Sequence, residues 1–95
     1  MFLRVTRGSS DPAKHDDLLA LTDDFVAANK RLPGFVSYQS GIDPGTGAFV
    51  VITAWETADA ARFPRDALGD VLQRLSAAGA RPDSSEIYEQ IVRIG

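Results

Sequence analysis

The chain has 95 residues, of which 44% are hydrophobic and 24% charged, a composition that leaves room for one hydrophobic core and does not match a disordered segment. It has no cysteine, which excludes disulfides, thiolate metal sites and cysteine nucleophiles. Ten Lys and Arg against thirteen Asp and Glu give a net charge of −3 with the basic residues scattered, so no positive face is expected to meet nucleic acid. No run of about 18 apolar residues occurs, and the opening MFLRVTRGSSDP lacks the apolar stretch of a signal peptide; the expectation is a cytoplasmic protein with no membrane partner.

Phe2 to Arg7 reads as a first strand ending at Gly8-Ser9-Ser10. Asp11-Pro12 then marks a helix start, because the carboxylate caps free backbone N–H groups and proline at the first position loses no hydrogen bond. Leu18, Leu21, Phe25, Ala28 and Leu32 form one apolar stripe along that helix, while Asp16, Asp17, Asp23 and Asp24 fall largely on its wet side as a solvated face without metal-ligand spacing. Pro33-Gly34 ends it. Phe35 to Ile42 and Ala48 to Glu56 are extended runs separated by the turn Asp43-Pro44-Gly45-Thr46-Gly47, so the pair forms a hairpin. Thr57 can cap a second helix, broken at Pro64 and resuming from Asp66, with Leu68, Val71, Leu72 and Leu75 on one stripe and Gly79 at its end. After a loop at Arg81-Pro82-Asp83, the segment Glu86 to Ile94 reads as a last strand.

The order β-α-β-β-α-β, in one domain spanning residues 1–95, is that of an α+β ferredoxin-like fold with two helices on one face of a four-stranded antiparallel sheet. The strand AFVVITAWE carries Phe49, Val51, Thr53 and Trp55 on one side and Ala48, Val50, Ile52 and Ala54 on the other. Both sides are apolar although the helices of one chain can cover only one. Removing about 300–500 Å² of apolar surface from water is worth on the order of 8–12 kcal/mol before association costs, so a homodimer is expected.

The segment LPGFVSYQSGIDPGTGAFVVITAWETADAARF resembles the antibiotic biosynthesis monooxygenases, a family of dimeric α+β barrels. The shared features are a helix ending in Pro-Gly-Phe, a hairpin, and a strand ending in Trp-Glu-Thr that leads directly into a helix. The resemblance implies a substrate pocket between sheet and helices near Trp55, with Thr53, Val51, Phe25, Phe63 and Leu72 as candidate lining and no metal or bound cofactor. Val51, Gly41 and Ala61 stand where oxygenase members tend to carry polar side chains. The haem-degrading members carry a histidine ligand on the second helix, whereas the one histidine here, His15, lies on the first.

Individual residues leave alternatives open. Trp55 is either a stacking wall for a planar ligand or a core residue with its N–H tied internally. His15 is either a general base or a surface or capping residue. Tyr38, Ser37, Gln39 and Thr53 either line a wet cavity or find internal partners. Arg4, on a central strand, needs pairing: an ion pair with Glu89, a dimer contact or an anion-binding role each supplies it. No catalytic residue is assigned. The resemblance implies a cofactor-independent monooxygenase acting on a planar aromatic or quinol-like compound; the alternatives are a non-catalytic dimeric ligand-binding or accessory protein, or a cyclase-like role.

Overall fold

The computed structural model describes residues 1–95. Four strands, β1 (Phe2–Ser9), β2 (Phe35–Ile42), β3 (Phe49–Trp55) and β4 (Arg81–Glu89), form one antiparallel sheet in the order β2-β3-β1-β4. Between β1 and β2 run α1 (His15–Leu19) and α2 (Thr22–Lys30); between β3 and β4 run α3 (Ala58–Ala61) and α4 (Val71–Ala77). This is the α+β ferredoxin-like arrangement read from the element order. No helix is long and apolar enough to cross a membrane.

Local chemistry sets most of the boundaries. Asp11 accepts from the Ala13 amide at 2.9 Å with Pro12 next to it, and Thr57 accepts from the Ala60 amide at 3.0 Å, so both helical segments begin at the side-chain caps expected. In the hairpin turn, Asp43 accepts from the Gly45 amide through its side chain at 2.8 Å and from the Gly47 amide through its backbone carbonyl at 2.7 Å. Gly79, at φ 93°, closes α4, and the Ala80 amide reaches back to the Leu75 carbonyl at 3.0 Å.

Three elements depart from the sequence reading. The first helix is not continuous: a 3-10 turn at Pro12–Lys14 leads into α1, and the chain tightens again at Ala20 and Leu21, where the Leu21 amide donates to Leu18, three residues back. Thr22, Asp23 and Asp24 then supply a first turn suited to the positive end of a new helix. The second helix does not resume at Asp66. Arg65–Leu68 is a 3-10 turn closed by Gly69 at φ 75°, and α4 begins only at Val71. The largest departure is β4, which spans Arg81–Glu89 rather than Glu86 to Ile94. The pairing with β1 runs as far as Phe2, opposite Glu89, with a last backbone bond from the Gln90 amide to the Met1 carbonyl, and Ile91 to Ile94 lie beyond it. Pro82, read as loop, is tolerated because β4 is an edge strand and the register slips there by one residue, opposite Gly8.

The helices pack on the sheet face that bears Arg4, Thr6, Tyr38, Thr53 and Trp55, as the contacts of Phe25 with Tyr38 and of Phe63 with Trp55 record. Ala28, Leu68 and Val71 are the buried centre of the helical layer, with Phe25, Leu32, Phe63, Leu72 and Leu75 packed around them. An ion pair between Arg74 and Asp24, 2.9 Å, joins α4 to α2; both ends are about half exposed, so it adds at most ~1 kcal/mol. On the opposite face Val5 and Ala54 are shielded by their neighbours, Leu3, Val50 and Ile52 are half-buried, and Tyr88 is 44% exposed.

Candidate functional site

Between the sheet and the helices lies a cavity of about 500 Å³, within the usual range for small-molecule sites. Its apolar wall comes from Phe25 on α2, Val51 on β3, Phe63 in the loop after α3, Leu68 in the 3-10 turn, and Leu72 and Leu75 on α4. Strand alternation sends every second side chain of the sheet toward the helices, which adds Arg4, Thr6, Tyr38, Ser40 and Thr53; Asn29 of α2 also lines the space. The cavity is therefore apolar in body and polar along the sheet.

Of the residues singled out from the sequence, Thr53, Val51, Phe25, Phe63 and Leu72 are brought together on this wall. Trp55 is not on it: the indole is 0% exposed. Its Nε1–H donates to Thr53 Oγ1 at 2.8 Å, and the ring packs between Phe35, with centroids 5.6 Å apart, and Phe63 at 5.0 Å. Of the two roles left open for Trp55, the geometry is that of a core residue that backs the cavity through Thr53 and Phe63. Val51 faces the cavity and Gly41 borders it through its backbone, whereas Ala61 is fully buried outside it. His15 also lies away from the wall, with its Nδ1 buried and unbonded.

Arg4 is the residue whose part the sequence left most open. It makes no ion pair with Glu89, which the register sets opposite Phe2 as a diagonal neighbour. Instead Arg4 Nη1 donates to the backbone carbonyls of Ala61 at 3.0 Å and Phe63 at 2.9 Å, and the guanidinium lies 4.0 Å over the Phe63 ring. Burial, and after it the nearby Arg65 guanidinium, hold Arg4 below the ordinary arginine value. Phe35, Trp55, Phe63 and Arg4 thus form a chain of contacts, edge-on between Phe35 and Trp55, tilted between Trp55 and Phe63, and cation over ring between Arg4 and Phe63.

Tyr38 meets Phe25 edge to face at 5.9 Å, and burial raises its pKa above the ordinary 10.0, partly offset by the nearby Ser40 hydroxyl. Its hydroxyl is therefore a neutral donor at physiological pH. A tyrosine whose folded pKa lies above the unfolded value favours folding fully below the unfolded value, and that contribution is lost as pH climbs through the folded one. Tyr88, on the far face, is also raised, chiefly by its bond to Glu86. In a Tyr88→Phe variant the ultraviolet titration should accordingly report Tyr38 alone, with ionisation displaced above 10.0. Ionisation at or below that value would place the ring in water.

No three His, Asp or Glu side chains converge as a metal site. No family model matches the chain, and no curated protein matches its sequence. Solved structures do match over nearly the full length. An antibiotic biosynthesis monooxygenase superposes with a TM-score of 0.73 at 19% identity, covering 97% of this chain and 100% of that one. SnoaB, a cofactor-independent oxygenase from Streptomyces nogalater, gives 0.71 at 19%, covering 98% and 95%. A conserved protein from Methanosarcina mazei gives 0.72 at 14%, covering 95% and 92%. At these identities the likeness is one of fold: this chain has the α+β fold of the antibiotic biosynthesis monooxygenases.

Proposed function

We propose that the chain is a cofactor-independent monooxygenase that takes a planar aromatic or quinol-like compound into the cavity and oxidises it with O₂. The observation that carries this reading is the cavity itself, about 500 Å³ with aromatic and aliphatic walls, into which a half-buried guanidinium and a neutral tyrosine hydroxyl are set. An electron-rich ring system reduces O₂ by itself once it has lost a proton, so the protein's task is to favour the ionised substrate and to shelter it from water. Arg4 offers fixed positive charge and Tyr38 a hydrogen bond to a substrate oxygen. For a reactive methylene the balance is one O₂ consumed, one oxygen atom entering as the new carbonyl, and the other leaving as water with the two methylene hydrogens. SnoaB, with the same fold, is described as a cofactor-independent oxygenase, which supports the class.

The functional unit in this reading is a cytoplasmic homodimer. Leu3, Val50 and Ile52 stand on the face without helices, and Ile91, Val92 and Ile94 beyond β4 are 93%, 70% and 93% exposed. A second copy related by a twofold axis would take both surfaces out of water if each patch of one subunit packs on the other patch or on its own equivalent in the partner. Light scattering should give twice the chain mass, and a single-chain mass at micromolar concentration sinks the dimer.

A second reading, a non-catalytic ligand-binding or accessory protein, is favoured by the lack of a histidine on the cavity wall and by Asp83, the one lining carboxylate, being exposed. Oxygen uptake with a panel of anthrones and quinols separates the two. Turnover well above autoxidation supports the oxygenase; binding with uptake equal to autoxidation throughout the panel leaves the accessory role.

A further inference from the structure

Two cations line the cavity, Arg4 and Arg65, and neither makes an ion pair with any carboxylate of the chain. They lie close enough for Arg65 to disfavour the charge on Arg4. A guanidinium has five N–H donors in a rigid fork. Both donors of Arg4 Nη1 are taken by the Ala61 and Phe63 carbonyls, while the Nε–H and both Nη2 N–H groups have no acceptor in the protein. None of these nitrogens is sealed from solvent, because the only buried side-chain nitrogen or oxygen without a partner is His15 Nδ1.

The free edge is the one along which Nε–H and Nη2–H run parallel, the geometry that receives two oxygens of one carboxylate. Its orientation is fixed before any ligand arrives, by two backbone carbonyls on the far nitrogen and by Phe63 against one face. The only lining carboxylate, Asp83, cannot serve as the missing partner. Arg4 is paired across the sheet with Ile87, and Asp83 lies farther along β4, about 13 Å away at ~3.3 Å per residue.

We infer that the cavity selects a planar aromatic carboxylate, whose head group is bound side-on by the Nε–Nη2 edge of Arg4 with Arg65 at the mouth as a second positive charge. The ring system then lies along Phe25, Val51 and Leu72, and the carboxylate supplies the counter-charge that the two arginines lack. This deepens the proposed function by naming the acidic group its substrate carries. It rests on the reading of the cavity as a ligand site and not on turnover.

The test compares naphthalene-2-carboxylate with the neutral 2-naphthalenemethanol by titration calorimetry on the full chain. Hydrogen bonds to charged groups predict that the carboxylate binds about 10- to 100-fold more tightly, and that salt weakens the carboxylate alone. Arg4→Gln should abolish the preference, and Arg4→Lys, which keeps the charge but loses the fork, should remove most of it. Arg65→Gln breaks no hydrogen bond or ion pair of the chain and should lower the preference several-fold, so it decides the matter if an Arg4 variant does not fold. Equal affinity of the two probes for the wild type overturns the inference, as does a preference that survives both Arg4→Gln and Arg65→Gln, or failure of both probes to bind at millimolar concentration. Oxygen uptake is read separately. A carboxylate preference without turnover removes the oxygenase and leaves this inference standing, whereas turnover of neutral quinols with no carboxylate preference does the reverse.

Discussion

Trp55→Ala is expected to lower the free energy of unfolding by about 3–5 kcal/mol, the usual cost of deleting a fully buried large aromatic residue. The indole is 0% exposed and has Phe35 on one side and Phe63 on the other. Its removal leaves a cavity at the end of the central strand and takes the donor from Thr53 Oγ1. A domain of this size has about 5–15 kcal/mol of stability in total, so the variant should be mostly unfolded or close to it at moderate urea. Trp55→Phe keeps most of the ring volume and should cost about 1–2 kcal/mol, for the lost hydrogen bond and a partial void. Circular dichroism in urea measures both, since fluorescence loses its one tryptophan. A cost below ~1 kcal/mol for Trp55→Ala would mean that the indole faces open space, as a ligand wall does.

The second large effect is expected at the hairpin turn. Gly47 has φ 82°, and a methyl group there would run into the Ser10 carbonyl, the same residue whose amide donates to the Gly47 carbonyl at 2.8 Å. Gly47→Ala combines backbone strain of about 1–3 kcal/mol with an overlap that only movement of β1's end can relieve. The sum should fall near 2–4 kcal/mol. Gly69 lacks the overlap: with φ 75° and ψ −155° it lies in a region that only glycine enters readily, and nothing stands within 4 Å of an added methyl, so Gly69→Ala should show backbone strain alone, about 1–3 kcal/mol. Gly41 has neither constraint and Gly41→Ala should be near neutral to within about 0.5 kcal/mol. Chemical denaturation of the three variants gives the order directly. A Gly47→Ala cost of about 1 kcal/mol or less would show that the Ser10 contact is not rigid.

The chain of aromatic contacts gives Trp55 a part in the site without contact to the cavity. Phe63 stands between Trp55 and the Arg4 guanidinium, and its backbone carbonyl is one of the two that hold Arg4. The tryptophan that dominates the sequence motif is therefore a support for the polar group that the motif does not contain.

The element order, the hairpin, the caps at Asp11 and Thr57 and the sidedness of β3 were legible from residues alone, because each depends on partners a few positions away: a carboxylate and the next free amide, or side chains alternating across a pleat. Three features needed the tertiary structure. β4 ends where its pairing with β1 ends, opposite Phe2, so the apolar run to Ile94 gave no indication of it. The exclusion of Trp55 from the cavity follows from packing against Phe35 and Phe63. The orientation of Arg4 depends on carbonyls 57 and 59 residues away. Periodicity and capping are written in short windows of sequence; which pairs of distant atoms meet, and which donors are left without a partner, exists only once the sheet and the helices have closed on each other.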